Sequence, residues 1–254
     1  MGAADSNARP SVTSRVLALL GAFDEKRPSL TLTELAAEAE LPVSTAHRLV
    51  GELVKWDALR RAPDGRYVIG QRLWMTGALS PVARELRDVA LPVLEDLHEA
   101  TLENVQLAVR EGQQALCIET IRGRRSDPNF SRPGDLLPLH ATGVGKVMLA
   151  WAPREVIDEC LQHLAPLTPN TITEPERMER ELAMVRRAGH ARTLEEAGPR
   201  SWSVAVPVRV GEDRVVAAVG VVTRAMRGDL VNLVPAMQMA AAAISRALPP
   251  PPSR

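Results

Sequence analysis

Residues 30–54 run L-T-L-T-E-L-A-A-E-A-E-L-P-V-S-T-A-H-R-L-V-G-E-L-V, two short amphipathic segments broken at Leu41-Pro42. The first puts Leu35, Ala36 and Ala39 on one side, with Thr33 as the expected N-terminal cap, since a hydroxyl there can accept from an orphan first-turn amide. Pro42 has no amide proton and holds Leu41 extended, so the first helix must stop, while proline suits the opening of the next. In the second helix Val43, Ala46, Leu49, Val50 and Leu53 form the apolar stripe and leave Ser44, Thr45, His47, Arg48 and Lys55 on the other faces. Such a pair suits a helix-turn-helix that contacts DNA. Ser and Thr bond phosphates or base edges, and Arg grips guanine O6 and N7 or a phosphate. A plain helical hairpin with a solvated outer face is the competing reading of this segment alone.

The flanking residues favour the first reading. Leu59 to Ile69 forms two short strands around Asp64-Gly65, a strong local hairpin signal, so helix, helix and hairpin make a winged helix-turn-helix. Arg60, Arg61 and Arg66 are expected to line the wing and neutralise phosphates, against the alternative that they are merely solvated. Upstream, Ser11 to Phe23 groups Val12, Val16, Leu17, Leu19, Leu20 and Phe23 as a third helix that completes the tri-helical core.

Bulk properties set the limits. The 254 residues are enough for two domains, and the 31 basic and 31 acidic side chains cancel, so overall charge does not announce a nucleic-acid partner. Residues 1–80 carry ten bases against nine acids, whereas residues 44–66 carry five against three, which confines the basic surface to the expected contact. Cys117 and Cys160 fit neither a metal spacing nor a disulfide framework and read as core thiols of a reducing compartment. The first residues show no signal-peptide pattern and no long apolar run occurs, so a cytoplasmic protein with no membrane association is expected. Residues 1–9 and Pro249 to Arg254 read as unstructured tails.

Beyond the wing, residues 71–80 suggest a linker helix in which Trp74 and Met75 lack an obvious core, so that a second copy of the chain and packing within the chain are equal candidates to cover them. A helix over 82–100 opens the second domain. Strands are expected at 104–110, 114–122, 190–194, 203–210 and 215–223, helices at 143–151, 154–164, 175–187 and 230–248. The fold class is therefore α+β: a winged helix-turn-helix (10–70), a linker helix (71–81) and a mainly antiparallel α+β domain (82–248) with room for a pocket at one end of its sheet.

Five segments together resemble one family: L-P-V-S-T-A-H-R-L-V at 41–50, D-G-R-Y-V-I-G at 64–70, L-P-L-H-A-T-G-V-G-K-V-M-L-A at 137–150, E-R-E-L-A-M-V-R-R-A-G-H at 179–190 and V-A-V-P-V at 204–208. From Ser11 to about Leu248 the chain is similar to the IclR-type transcriptional regulators. The resemblance implies a C-terminal effector-binding domain of the GAF/PAS group and a homodimer or dimer of dimers on a palindromic double-stranded operator. It further implies that amides at Thr142, Gly143, Val144 and Gly145 hold the acidic end of a small organic acid, as a helix N-terminus suits an anion; glycines that merely permit a tight turn are the alternative. His140 lies beside that loop and could touch the ligand, although a buried, satisfied histidine is the commoner outcome. Other pocket positions depart from the family: one often Cys is Ser203, an acidic one falls near Thr193, and two that are often Ser are Gly220 and Val222. This loss of polar groups points to a larger, more apolar acid, such as an aromatic carboxylate.

Enzyme readings fail on the residues. G-V-G-K at 143–146 is followed by Val147 rather than Ser or Thr, and His140 stands where a phosphate-binding loop needs its first glycine. No nucleophile elbow, zincin motif or cysteine pair at zinc spacing occurs, so no catalytic residue, metal or cofactor is expected. The surviving alternative is a small-molecule sensor acting without sequence-specific DNA binding. Repression or activation, the operator and the effector's identity lie beyond the sequence.

Overall fold

The computed structural model describes residues 10–24, 27–77, 79, 81–123, 130–211, 214–224 and 230–249. The tails expected at the two ends therefore fall, Pro249 apart, outside the described residues. Internal contacts divide the chain into two units, residues 1–80 and 81–254.

The first unit runs α1 (Val12–Gly21), β1 (Ser29–Leu30), α2 (Leu32–Glu38), α3 (Val43–Lys55), β2 (Leu59–Arg61), β3 (Tyr67–Ile69) and α4 (Gln71–Gly77). Leu19, Leu30, Leu35, Ala46, Leu49, Val50 and Leu59 close its core. The cap of α2 is Thr31, not Thr33: the Glu34 amide donates to Thr31 Oγ1 (3.2 Å) while Glu34 Oε2 accepts from the Thr31 amide (2.7 Å). The reciprocal capping box satisfies two orphan amides at once, which Thr33 cannot do.

One device ends both helices of the pair. At α2, Glu40 takes a left-handed φ of 52°, and amides 40 and 41 donate to the carbonyls of Ala37 and Ala36. At α3, Asp57 (φ 59°) repeats it, with amides 57 and 58 donating to Val54 and Leu53. These are Schellman turns built without glycine, each costing a non-glycine residue about 1 kcal/mol in backbone strain. The sharp turn is thus made by Glu40, and Pro42 then opens α3, its carbonyl accepting from Thr45 and Ala46. Gly70 closes the wing against the second turn: its amide donates to Ala58 (2.7 Å), and a Cβ there would lie 2.1 Å from the Asp57 carbonyl oxygen.

The second unit runs α5 (Pro81–Thr101), β4 (Asn104–Glu111), β5 (Gln114–Ile121), β6 (Leu136–Pro138), α6 (Gly143–Ala150), α7 (Arg154–Leu161), α8 (Pro175–Ala188), β7 (Ala191–Leu194), β8 (Trp202–Val210), β9 (Arg214–Thr223), a 3₁₀ turn at Leu230–Leu233 and α9 (Val234–Ala247). Its six strands pair antiparallel throughout, in the order β6-β5-β4-β9-β8-β7. Strand alternation sorts the two faces. Val105, Leu107, Val204, Val206, Val208, Val219 and Val221 meet α5 and α9, whereas Ala108, Ala205 and Ala218 meet α6 and, beyond it, Met178, Leu182 and Val185 of α8.

The bulk on the first face and its absence on the second decide where α6 lies. Gly220 makes the approach closest, since a Cβ there would stand 2.7 Å from Val144 Cγ1. All eight residues of α6 are buried, including Lys146. Its ammonium donates to Glu196 Oε1 (2.7 Å) and Glu181 Oε1 (3.3 Å), tying α6 to α8 and to the loop after β7. Glu196 Oε2 is buried with no hydrogen-bond partner among the described residues. Burial accordingly pushes this carboxyl above its ordinary value, opposed by the Lys146 ammonium. Burial also pushes the Cys117 thiol up to about 12 and raises that of Cys160.

Two stability effects are expected, each read by thermal and denaturant unfolding of the full chain. Gly70→Ala should destabilise the first unit by about 3 kcal/mol, because the clash is with backbone and cannot be relieved by a rotamer change. Glu196→Ala should cost about 3 kcal/mol by leaving Lys146 buried on one partial partner, and Lys146→Met in the same chain should recover most of it.

Candidate functional site

In the first unit, α3 buries Ala46, Leu49, Val50 and Leu53 and turns Ser44, His47 and Arg48 outward, with Thr45 half-buried between the faces. Val43, expected in the apolar stripe, is 49% exposed, because it belongs to the first turn of the helix, beyond the reach of the core. The outward face is a short row of hydroxyl, imidazole and guanidinium groups. Lys55 at its far end pairs with Glu52 (2.8 Å), which holds that carboxyl below its ordinary value.

The wing arginines divide. Arg60 and Arg61 are exposed, and Arg61 Nε reaches only the Gly65 carbonyl at 3.3 Å. Arg66 instead turns inward, donating to Ser29 Oγ (3.2 Å), the Ser29 carbonyl (3.0 Å) and Glu34 Oε2 (2.7 Å). It clamps the start of β3 to β1 and to the capping box of α2, so its charge is met within the chain, while Arg60 and Arg61 stay exposed. Pairing of β1 with β3 brings Ser29 under this side chain; a two-residue strand has no periodicity by which a sequence could announce it.

In the second unit a cavity of ≈ 420 Å³ opens where the sheet runs past the N-terminus of α6. Its floor is one row across the sheet, Thr193, Ser203, Val222 and Asn104 on β7, β8, β9 and β4, with Gln106 one step along β4. Phe130, Leu137 and Pro138 form an apolar wall, and Ala197, Gly198 and Pro199 cover it as a strap. Main-chain bonding from Glu195 to Ser201 (2.8 Å) closes the strap, and Thr168 and Thr171 hydroxyls hold its carbonyls. Through Glu196 the strap is anchored on Lys146, so the cover and the helix that points into the cavity are fixed to each other.

Thr142 caps α6 by accepting from the Gly145 amide (3.1 Å), which leaves the amides of Gly143 and Val144 without an acceptor among the described residues. The Thr193 and Ser203 hydroxyls lie 2.6 Å apart and bond each other; two hydroxyls carry two protons, so one remains to donate outward. Helix dipole, free amides and a spare hydroxyl proton together favour an anion at this end.

Of the nine positions expected to contact an effector, Thr142, Thr193, Ser203 and Val222 line the cavity. Gly143 is pressed on Ser203, a Cβ there falling 2.7 Å from Ser203 Oγ, and a Cβ at Gly145 would fall 2.5 Å from the Pro138 carbonyl oxygen, so close approach is what both glycines allow. Val144 and Gly220 pack on each other below the lining. His140 is buried away from the cavity, its Nε2 at 2.9 Å from the Ala165 carbonyl, where it joins two loops. The expected loss of polar groups at 220 and 222 is offset by Asn104, Gln106 and Ser131, which sequence reasoning did not single out. The signal was present: in N-V-Q-L-A-V the polar residues alternate with valine and leucine on a strand covered on both faces. No cluster of metal-ligating side chains occurs among the described residues, and no helix among them is long and apolar enough to cross a membrane.

Known proteins share both halves of this architecture. The family model described as IclR helix-turn-helix domain matches residues 12–63, and that described as bacterial transcriptional regulator IclR C-terminal matches residues 80–246. The chain is 32% identical over 240 residues to the HTH-type transcriptional regulator XynR of Escherichia coli K12, across 92% of this chain and 95% of that one. Identity to the transcriptional repressor IclR of the same organism is 31% over 188 residues, 72% of this chain and 69% of that one. An IclR homolog from Microbacterium hydrocarbonoxydans, solved in complex with 4-hydroxybenzoate, shares the fold with a TM-score of 0.88 and 34% identity, over 94% of this chain and 99% of that one. With a helix-turn-helix at one end, an enclosed cavity at the other and matches spanning both, the chain belongs to the IclR family of bacterial transcriptional regulators.

Proposed function

We propose that an aromatic carboxylate is the effector and that the protein acts in the cytoplasm as a one-component regulator. The observation that carries this reading is the cavity itself: donors for one anionic group gathered at the start of α6, beside an apolar wall of Phe130, Leu137 and Pro138. The 4-hydroxybenzoate held by the Microbacterium homolog supports the same class. In this reading the Thr193–Ser203 hydroxyls take the carboxylate, the N-terminus of α6 behind them supplies the positive end of the helix dipole, and the ring lies over Val222.

DNA contact is assigned to Ser44, Thr45, His47 and Arg48 in the major groove, with Arg60 and Arg61 on phosphates and Arg66 supporting the wing from within. The proposed divisions are residues 10–70 for the DNA reader, 71–81 for the linker and 82–248 for the effector domain. A second copy of the chain is the proposed cover for α4, which buries none of its residues and leaves Trp74 (68% exposed) and Met75 (55%) in water. Two readers in a homodimer, or in a dimer of dimers, then match a palindromic operator. Effector binding changes DNA affinity by the ratio of its affinities for the DNA-competent and other arrangements.

Fluorescence polarisation of the full chain on DNA upstream of its own gene tests the reading. Benzoate or 4-hydroxybenzoate should shift the apparent Kd by roughly fivefold or more, the usual scale of such coupling. Stronger effects of pyruvate or glyoxylate would refute the aromatic assignment, and acid binding without specific DNA binding would establish the sensor alternative. On the same DNA, Arg48→Ala should cost about 1–3 kcal/mol and flatten the preference at one base pair; uniform weakening across sequences would make Arg48 a phosphate contact.

A further inference from the structure

Among the polar groups that line the cavity, the amide nitrogen of Gln106 serves neither the anion site nor the fold. Gln106 is 4% exposed and lines the cavity from β4. Its Oε1 accepts from the Ser131 hydroxyl at 2.6 Å, which anchors the amide, and its Nε2 has no partner among the described residues. Nε2 lies close above Gly220, where an added Cβ would stand 3.2 Å from it, so the missing side chain at 220 is what leaves this nitrogen room. Asn104 beside it behaves differently. Its Nδ2 donates to the Val222 carbonyl (3.0 Å) and its Oδ1 accepts from the Gly123 amide (3.0 Å), so both ends are committed to the sheet.

An amide N–H open to a cavity is met by water or by a ligand oxygen that takes the water's place, and a ligand group that cannot accept the bond loses affinity there. We propose that Gln106, anchored by Ser131, is a specificity-determining residue that donates to an oxygen substituent on the effector's ring, selecting a hydroxylated aromatic acid over the unsubstituted one. This rests on the aromatic-carboxylate reading above. The geometry fits a ring substituted at opposite ends. Ser203 and the strand bearing Gln106 are separated by β9, two strand spacings or about 10 Å, which one benzene ring spans with a hydrogen bond at each end. Val222, between them, gives the ring an apolar surface to lie on. A phenol oxygen also suits the site by carrying one proton of its own, which a cavity water or a rim group can accept.

The test is calorimetric titration of the full-length protein with benzoate, 4-hydroxybenzoate and 4-methylbenzoate, in the wild type, Gln106→Leu and Ser131→Ala. Wild type should favour 4-hydroxybenzoate over both others by about tenfold, one buried hydrogen bond. In Gln106→Leu that ratio should fall to within about twofold of one or invert towards 4-methylbenzoate, and Ser131→Ala, which frees the amide to rotate, should give an intermediate ratio. The ratio is read within each variant, so a general loss of affinity or stability does not mimic it. A wild-type ratio near one, or a ratio unchanged in Gln106→Leu, overturns the assignment of Gln106 while leaving the aromatic reading intact. Failure of all three acids to bind wild type overturns both.

Discussion

The second unit is organised by a shortage of side chains. Six strands present valine and leucine to one pair of helices and alanine and glycine to the other side, so α6 settles against the sheet closely enough for Val144 to occupy the space above Gly220. A helix this close to a sheet cannot cover all of it. Where α6 begins, it leaves the row Thr193, Ser203, Val222 and Asn104 to be covered by the strap alone, and the space between row and strap is the cavity. Burying all of α6 has an electrostatic cost concentrated at Lys146. The two carboxylates that meet it come from α8 and from the strap, so the group that neutralises the helix also fastens the cover.

The first unit solves a different problem, holding three short helices and a small hairpin at fixed angles with few buried residues. Position there is set by polar clamps at the joints. The Thr31–Glu34 box, the Arg66 reach to Ser29 and Glu34, and the paired left-handed turns at Glu40 and Asp57 all sit between elements rather than within them. The arrangement spends its strongest contacts on geometry, and among the described residues the Ser44, His47 and Arg48 side chains on the outward face of α3 make no hydrogen bond or ion pair within the chain.

Elements with sustained periodicity were legible in the sequence. The stripe Ala46, Leu49, Val50, Leu53 marked α3, and the alternations from 203 to 223 marked β8 and β9. What escaped was set by tertiary partners. β1 and β6 have two and three residues, too few for a pattern, and they exist because β3 and β5 offer open edges. Thr31 outdid Thr33 because only it stands three residues before a glutamate. In the cavity the glycine loop was visible as a motif, but not that Gly145 and Gly220 serve packing, nor that His140 is occupied by a loop carbonyl. Those facts depend on which strand crosses beneath which helix.

The two cysteines give the fold one further property. Both thiols are buried and held protonated well above neutral pH, Cys117 most strongly. Oxidation and thiol exchange act on thiolates, so neither reaction finds a foothold here. What oxidation the described residues invite falls instead on thioethers in water, those of Met75, Met184 and Met239, which leaves the packing around the two thiols out of its reach.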